Sequence, residues 1–534
     1  MVEKSIVLMP EDVQRILGKD AQRSNILAAR MIAEIVKTTL GPKGMDKMLV
    51  SSTNDIIITN DGVTILEEMQ IEHPAAKMMV EIARTQENEI GDGTTTAVML
   101  AGKLLENAEK LLDKKIHPTI ITKGYRIAAD KSQEILKELA LRITKEDDEI
   151  LKQVAMTAMT GKSAEDAKEI LSDIIIQAIN QVEDNGKVNL NDIKVEGVKK
   201  EGIKNTELIS GIVLEKEKVL YDMPSQIREA KIALIDFPIE IRNPEIEAKI
   251  SITSPEQLQS FLSEEENMIK EMVEKIRKSG ANVLFCQKGI DDFAQYLLSK
   301  EKIYACRRVS RSDMEKISKA TGGKIISNLD ELTLFELGKA QLVEEIKHGD
   351  DVFTYIRGCQ NPKAVTILVH GGSEHVIDEI KRAVKDGLGG VACVVESGLI
   401  VPGGGAVEIE LAKRLREFSQ LLSGREQLAV EEFASALEFI PSTLAENAGI
   451  DPIDIITELK SRHDSGERNA GINLFTNKIE NAFEARIIEP LKIKTQAISS
   501  ASEVAIMILR IDDIILAKDK NLAGDFGRGN PIQE

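Results

Sequence analysis

Gly91-Asp92-Gly93-Thr94-Thr95-Thr96 places flexible backbone, one carboxylate and three consecutive hydroxyls directly ahead of the apolar run Ala97-Val98-Met99-Leu100-Ala101. The run reads as a helix. The amides and hydroxyls before it then stand at the positive end of a helix dipole, where phosphate oxygens bind well. A carboxylate beside them can hold the accompanying magnesium ion. This order of residue types serves the binding of a nucleotide triphosphate, although taken alone it also reads as a threonine-rich helix cap.

Two further turns offer polar backbone of the same kind. Thr38-Thr39-Leu40-Gly41-Pro42-Lys43-Gly44 ends a stretch in which Ile32, Ile35, Val36 and Leu40 recur at helical spacing before the Gly-Pro break. Thr59-Asn60-Asp61-Gly62-Val63-Thr64 follows Asp55-Ile56-Ile57-Ile58, which reads as a strand, and Asn60-Asp61-Gly62 is a strong turn signal. Two other glycine patterns lead nowhere. Gly161-Lys162-Ser163 resembles the end of a P-loop, but Met156 stands where the leading glycine belongs. Gly387-Leu388-Gly389-Gly390-Val391-Ala392 meets the loosest dinucleotide pattern, yet follows the charged helical segment Ile377 to Asp386 and no strand.

Composition bounds the rest. A chain of 534 residues exceeds one ordinary core, so several domains are expected. Lys+Arg of 69 against Asp+Glu of 88 gives a net charge of −19, which argues against nucleic acid as the main partner, because phosphate backbones need a basic surface. The absence of Trp and an aromatic content of 3% also argue against a base-stacking surface. There is no signal-type apolar core behind a basic start and no long uncharged apolar run, so neither export nor a membrane span is expected, and the cytoplasm is the expected location. Cys286, Cys306, Cys359 and Cys393 are far apart, lack Cys-x-x-Cys pairing and read as reduced core residues. The six histidines form no metal-ligand pattern.

The three turns, in their order, resemble the chaperonins, specifically the two-ring group II type of archaea and the eukaryotic cytosol, with most likeness to thermosome subunits. The resemblance continues through Asn185-Gly186, Val219-Leu220-Tyr221-Asp222-Met223-Pro224, Phe285-Cys286-Gln287-Lys288-Gly289-Ile290-Asp291-Asp292 and Val401-Pro402-Gly403-Gly404-Gly405-Ala406. It extends to Leu444-Ala445-Glu446-Asn447-Ala448-Gly449-Ile450-Asp451-Pro452 and Ile488-Glu489-Pro490-Leu491-Lys492-Ile493-Lys494-Thr495-Gln496-Ala497, and so covers roughly the whole chain.

The hydropathy pattern is helical over about 10–145 and again over about 404–515, while the centre alternates β-rich runs such as Lys231–Ile235, Ala281–Phe285 and Ala364–Val369 with amphipathic helices. The resemblance turns this into a multi-domain α and α/β fold. A helical equatorial ATPase domain comes from 1–145 and 403–534, a small α+β intermediate domain from 146–217 and 368–402, and an α/β apical domain from 218–367. Ser254-Pro255-Glu256-Gln257 reads as a helix start, and Leu258, Phe261, Leu262, Ile269, Met272, Val273 and Ile276 follow at helical spacing. Such a stripe ordinarily faces a core. By resemblance it belongs to a helical lid protrusion at about 240–275, so that no separate lid co-chaperonin is needed.

The resemblance also implies an ATP-dependent chaperone that encloses unfolded protein clients, its partners being identical or paralogous subunits in stacked rings and its cofactors ATP and Mg2+. Residue by residue, it gives Asp92 to magnesium and Gly93, Thr94, Thr95 and Thr96 to phosphate oxygens. Thr39, Leu40, Gly41 and Pro42 line the nucleotide, with Gly62 beside Asp61, the second carboxylate near the γ-phosphate. Gly404, Asn473 and Glu489 match positions near base and ribose. Asp386 matches the water-orienting catalytic carboxylate, and Lys162 a lysine that senses the γ-phosphate. Departures stand beside these matches: Gly387 replaces the usual Ala after Asp386, Ala158 and Thr160 replace the usual Ser and Asn before Lys162, and the tail Ala523–Gly529 lacks the repeated Gly-Gly-Met ending. Three glycines after Asp386 are expected to weaken its helix. The alternative they motivate is a regulatory or structural ring subunit of weak ATPase activity that works with paralogues. A small-molecule kinase is disfavoured, since nothing resembles an acceptor-substrate pocket.

Overall fold

The computed structural model describes residues 13–50, 54, 56–144, 147–162, 164–200, 202–241, 255–360 and 362–517. The chain divides into two compact units. One comprises the residues up to Ala140, Val401–Ala485 and those from Leu491 on; the other comprises Leu141–Ile400 and Arg486–Pro490.

In the first unit the Thr94 helix, Thr94–Asp113, buries Val98, Met99, Leu100, Ala101, Leu104 and Leu105 on all sides. A helix apolar all round has no face for water and must be enclosed. The helices Gly18–Lys37, Pro74–Ile90, Pro118–Leu139 and Leu491–Leu509 lie around it. Tyr125 is fully buried there; its hydroxyl donates to the Leu104 carbonyl at 2.7 Å and its ring meets Phe433 edge-on. His73-Pro74 and His117-Pro118 start two of these helices, each imidazole accepting the amide two residues on while proline occupies the first turn, where no amide is needed. Three antiparallel strand pairs interrupt the helices: Val13–Leu17 with Asp513–Ala517, Lys47–Val50 with Ile56–Thr59, and Ala470–Asn473 with Lys478–Asn481. The second pair holds the expected Ile56-Ile57-Ile58 in a strand that runs on to Thr59, while Asp55 lies outside the described residues.

The second unit is α/β, and the three β-rich runs coincide with strands Gln226–Ile235, Val283–Cys286 and Val365–Gly371, the second beginning two residues and the third one residue later than expected. Tyr304–Cys306, Val283–Cys286 and Gln226–Ile235 run parallel, and the sheet continues antiparallel through Gly338–His348, Asp351–Arg357 and Gly211–Leu214. Alternate side chains face opposite ways along a strand. Ala233, Ile235, Leu284 and Cys286 therefore join one core, and Ile232, Leu234, Val283 and Phe285 the other. The helix Pro255–Lys278 sends Ile269, Val273 and Ile276 into the first of these cores, so the latter half of its apolar stripe faces the sheet. Ser254, the stretch 242–253 and the tail from 518 lie outside the described residues, as do the side chains of Leu258, Phe261 and Leu262. A smaller sheet of Ile193–Lys199, Val365–Gly371 and Glu207–Ile209 lies with the helices Lys168–Val182 and Glu374–Ser397.

The three glycines expected to weaken the helix after Asp386 lie in its interior. Glu374–Ser397 is one uninterrupted helix, and Gly387, Gly389 and Gly390 are all buried in it. A Cβ on Gly387 would stand 2.7 Å from the Ile175 Cδ1 and 3.6 Å from the Met159 Cγ. The missing side chain lets this helix approach the helices Asp148–Met159 and Lys168–Val182, so close packing offsets the propensity cost of about 1 kcal/mol per glycine.

Candidate active site

The Thr94 helix opens on Gly93 in left-handed backbone, with no side chain capping its first turn. The first amides of a helix lack intrahelical partners, so they point toward whatever lies ahead of Thr94, Thr95 and Thr96. Thr94 is buried and its two successors are half-buried. Asp92 turns back on this turn, its Oδ1 accepting the Gly93 amide at 2.7 Å. Behind it, fully buried Gln86 donates through Nε2 to the Asp92 carbonyl at 2.8 Å and to the Ile493 carbonyl at 3.4 Å.

The Asp61 turn arrives beside it. Asp61 caps the helix Gly62–Glu68, its Oδ2 accepting the Thr64 amide at 3.0 Å and the Thr64 hydroxyl at 2.6 Å. A Cβ on Gly62 would stand 2.7 Å from the Thr95 Oγ1 and 3.2 Å from its amide nitrogen. Glycine is required there because the two turns meet backbone to side chain. Asp61, Gly62, Asp92, Gly93 and the three threonines thus form one cluster of two carboxylates, hydroxyls and open amides.

A second cluster collects the nucleotide-lining turn with two of the base and ribose candidates, Gly404 and Asn473. Thr39 donates through its hydroxyl to the Val36 carbonyl at 2.8 Å, ending the helix Gly18–Lys37. The turn that follows, Leu40 to Lys43, is held by Asn447, whose side-chain amide donates to the carbonyls of Lys37 and Leu40 at 3.0 and 2.9 Å. The Lys43 ammonium lies 6.0 Å from the Phe475 ring centroid, next to Asn473 in the hairpin. Asn473 itself maintains that hairpin: its Oδ1 accepts the Phe475 amide at 3.0 Å and its Nδ2 donates to Glu480 at 2.9 Å. Gly404 joins the same strand, its carbonyl accepting the Ile472 amide at 2.8 Å.

Asp386, Lys162 and Glu489 belong to the second unit. Asp386 is buried near the middle of the Glu374 helix and forms an ion pair with Lys162, just beyond the helix Asp148–Met159. Glu489 lies on the short strand Ile488–Pro490. Sequence reasoning missed Gln86 and Asn447 as supports of the two turns. Asn447 stood in a quoted matching string, but side-chain amides that hold carbonyls leave no periodic signal.

The first unit's residues fit a magnesium nucleotide: open amides and hydroxyls for phosphate oxygens, a carboxylate for the metal and a glycine where backbone must approach. Among the described residues no helix is long and apolar enough to cross a membrane.

The profile of the TCP-1/cpn60 chaperonin family matches residues 32–519. The chain is 56% identical over 532 residues to thermosome subunit beta of Archaeoglobus fulgidus, covering 98% of each chain. It is 53% identical over 520 residues to a thermosome subunit of Methanopyrus kandleri, covering 97% of this chain and 95% of that one. Among solved structures it is similar to the open-state monomer of a group II chaperonin from Methanococcoides burtonii, with a TM-score of 0.59 and 47% identity over 79% of this chain and all of that one.

Proposed function

This chain belongs to the TCP-1/cpn60 chaperonin family, in its thermosome-type group II branch, and we propose that it hydrolyses ATP to drive the cycle of a folding chaperone. In this reading it is one subunit of a double ring that encloses unfolded proteins, with identical or paralogous neighbours. The observation that carries the nucleotide assignment is the uncapped start of the Thr94 helix, with Gly62 drawn against Thr95 and the carboxylates of Asp61 and Asp92 on the same cluster.

Thr94, Thr95 and Thr96 hold phosphate oxygens through amides and hydroxyls, and Gly93 leaves the backbone accessible. Asp92 holds the magnesium ion, which when bound neutralises phosphate charge. Thr39, Leu40, Gly41 and Pro42 line the nucleotide, and Gly404, Asn473 and Glu489 match positions near base and ribose. Asp61 and Asp386 are the catalytic carboxylates: Asp386 orients the attacking water, Asp61 lies near the γ-phosphate, and Lys162 senses the γ-phosphate. In the domain scheme of this reading, the first unit's residues belong to the equatorial domain and Asp386 and Lys162 to the intermediate domain. Hydrolysis then answers to domain movement.

The test is the native mass of the purified chain by light scattering together with its steady-state ATPase rate in magnesium. A particle of roughly a megadalton that turns over ATP is expected. A small oligomer without turnover would favour the regulatory subunit that needs paralogues.

A further inference from the structure

The helix Ala406–Ser419 follows the Gly403-Gly404-Gly405 loop directly and carries two carboxylates, Glu408 and Glu410, that are 4% and 3% exposed. Residues two apart on a helix point to nearly opposite sides. Accordingly, Glu408 accepts from Lys494 Nζ at 2.8 Å, on the helix Leu491–Leu509, while Glu410 meets His463 Nδ1 at 2.9 Å, at the end of the helix Pro452–Asp464. Lys494 is itself 7% exposed.

The position of Lys494 is what gives the first pair its interest. Its chain neighbour Ile493 abuts the phosphate turn: a Cβ on Gly93 would stand 2.7 Å from the Ile493 Cγ2, and Gln86 spans the carbonyls of Asp92 and Ile493. On the other side, Glu408 lies in the first turn behind Gly405, and the Gly404 carbonyl is bonded to Ile472, next to Asn473. The pair therefore joins the Asp92–Thr96 cluster to the Gly404–Asn473 cluster, two halves of the candidate site that come from distant parts of the chain. The second pair secures the same helix from behind, since His463 Nε2 donates to the Ala470 carbonyl at the start of the Asn473 strand, at 2.9 Å.

Stability does not account for the Glu408 pair. Taking both charges out of water is costly, and the Glu408 Oε2 has no hydrogen-bond partner among the described residues. Two apolar side chains of similar volume would hold the helices together as well or better. A charge pair differs in being directional, with one short separation and one orientation.

We infer that the buried Glu408–Lys494 pair is a positioning device that fixes the spacing between the phosphate turn at Gly93 and the glycine loop at Gly404, and so sets how tightly nucleotide is held. The inference rests on the nucleotide reading of the first unit. Both are tested in full-length protein with magnesium and a fluorescent methylanthraniloyl ADP, alongside thermal unfolding and the ATPase rate. The double variant Glu408→Leu/Lys494→Met is expected to weaken ADP binding about tenfold, as a small misplacement of binding groups does, and to raise the KM for ATP more than it alters kcat, without lowering the Tm. Gly62→Val, which drives a side chain into Thr95, serves as the control for the site itself. Unchanged ADP affinity in the double variant, with loss of binding in Gly62→Val, would overturn the positioning role alone. Wild-type affinity in Gly62→Val would overturn the nucleotide reading and the inference with it. If the double variant fails to fold, Glu408→Gln, which keeps the shape and removes the charge, is read by ADP affinity and KM alone, since breaking a buried pair from one side is expected to lower its Tm.

Discussion

Lys162 and Asp386, 224 residues apart in sequence, form a part-buried ion pair within the second unit. A carboxylate on a helix packed this closely has a lysine to hold its orientation. Under the proposed mechanism Asp386→Ala lowers steady-state ATP hydrolysis by about a hundredfold or more while ADP affinity stays at the wild-type value. Lys162→Met lowers hydrolysis less. If the lysine acts through Asp386, the double variant is no slower than Asp386→Ala alone, because residues that act as a unit do not add. Wild-type turnover in Asp386→Ala would remove the assignment.

Gly387 faces the Ile175 Cδ1, so a methyl group there gains helix propensity and loses space. Gly387→Ala alone changes the midpoint of thermal unfolding little, since about 1 kcal/mol of propensity opposes a comparable cost of crowding. Combined with Ile175→Val, which withdraws the obstructing methyl, it is more stable than the sum of the two single changes, by about 1 kcal/mol of coupling. Strict additivity would show that the helices tolerate a side chain at this crossing.

Glu410 is held below the ordinary carboxylate range: burial alone would raise it, but hydrogen bonds and charge from His463 and Arg414 more than compensate. A folded pKa below the unfolded value near 4.5 contributes stability above that pH and loses it as the pH falls through the folded value. Glu410→Gln is therefore less stable than wild type at neutral pH, by about 3 kcal/mol for breaking a buried pair. The difference in Tm between the two proteins narrows steadily once the pH drops below the unfolded value. A gap that is constant into strong acid would show that the shift carries no stability.

Burial pushes the Cys286 and Cys359 thiols up to about 11 and the Cys306 thiol to about 12. Each stays protonated far above neutral pH, and a protonated thiol is a poor nucleophile. Mass spectrometry after iodoacetamide at about pH 8 should find these three unmodified in native protein and modified after denaturation. Rapid native alkylation of Cys306 would mean that its sheet opens readily.

What was legible in the sequence was what is local. The threonine turn, Asp61-Gly62 and the runs at Lys231, Val283 and Val365 carry their signal within a few residues, and their places in the structure follow from it. The family was legible because such strings recur in order along nearly the whole chain. The supports of the site were not. Glu408, Glu410 and Lys494 are of residue types that ordinarily stay at the surface, and only the tertiary fold takes them out of water. Gly387 read as a weak point because propensity is a property of one helix, whereas its use depends on Ile175 and Met159, more than two hundred residues earlier.

The first unit is discontinuous in sequence, and this bears on its synthesis. Its residues up to Ala140 leave the ribosome well before Leu491 begins the last long helix around the Thr94 core, and the whole of Leu141–Ile400 is made in between. At about 5–20 residues per second the early helices wait roughly 20 to 70 s for that partner. During this interval the apolar sides of the Thr94 helix lack part of their final cover. The second unit, nearly continuous, can acquire its sheet while the first is still incomplete, so the nascent chain would itself depend on protection from aggregation before the candidate nucleotide site can close.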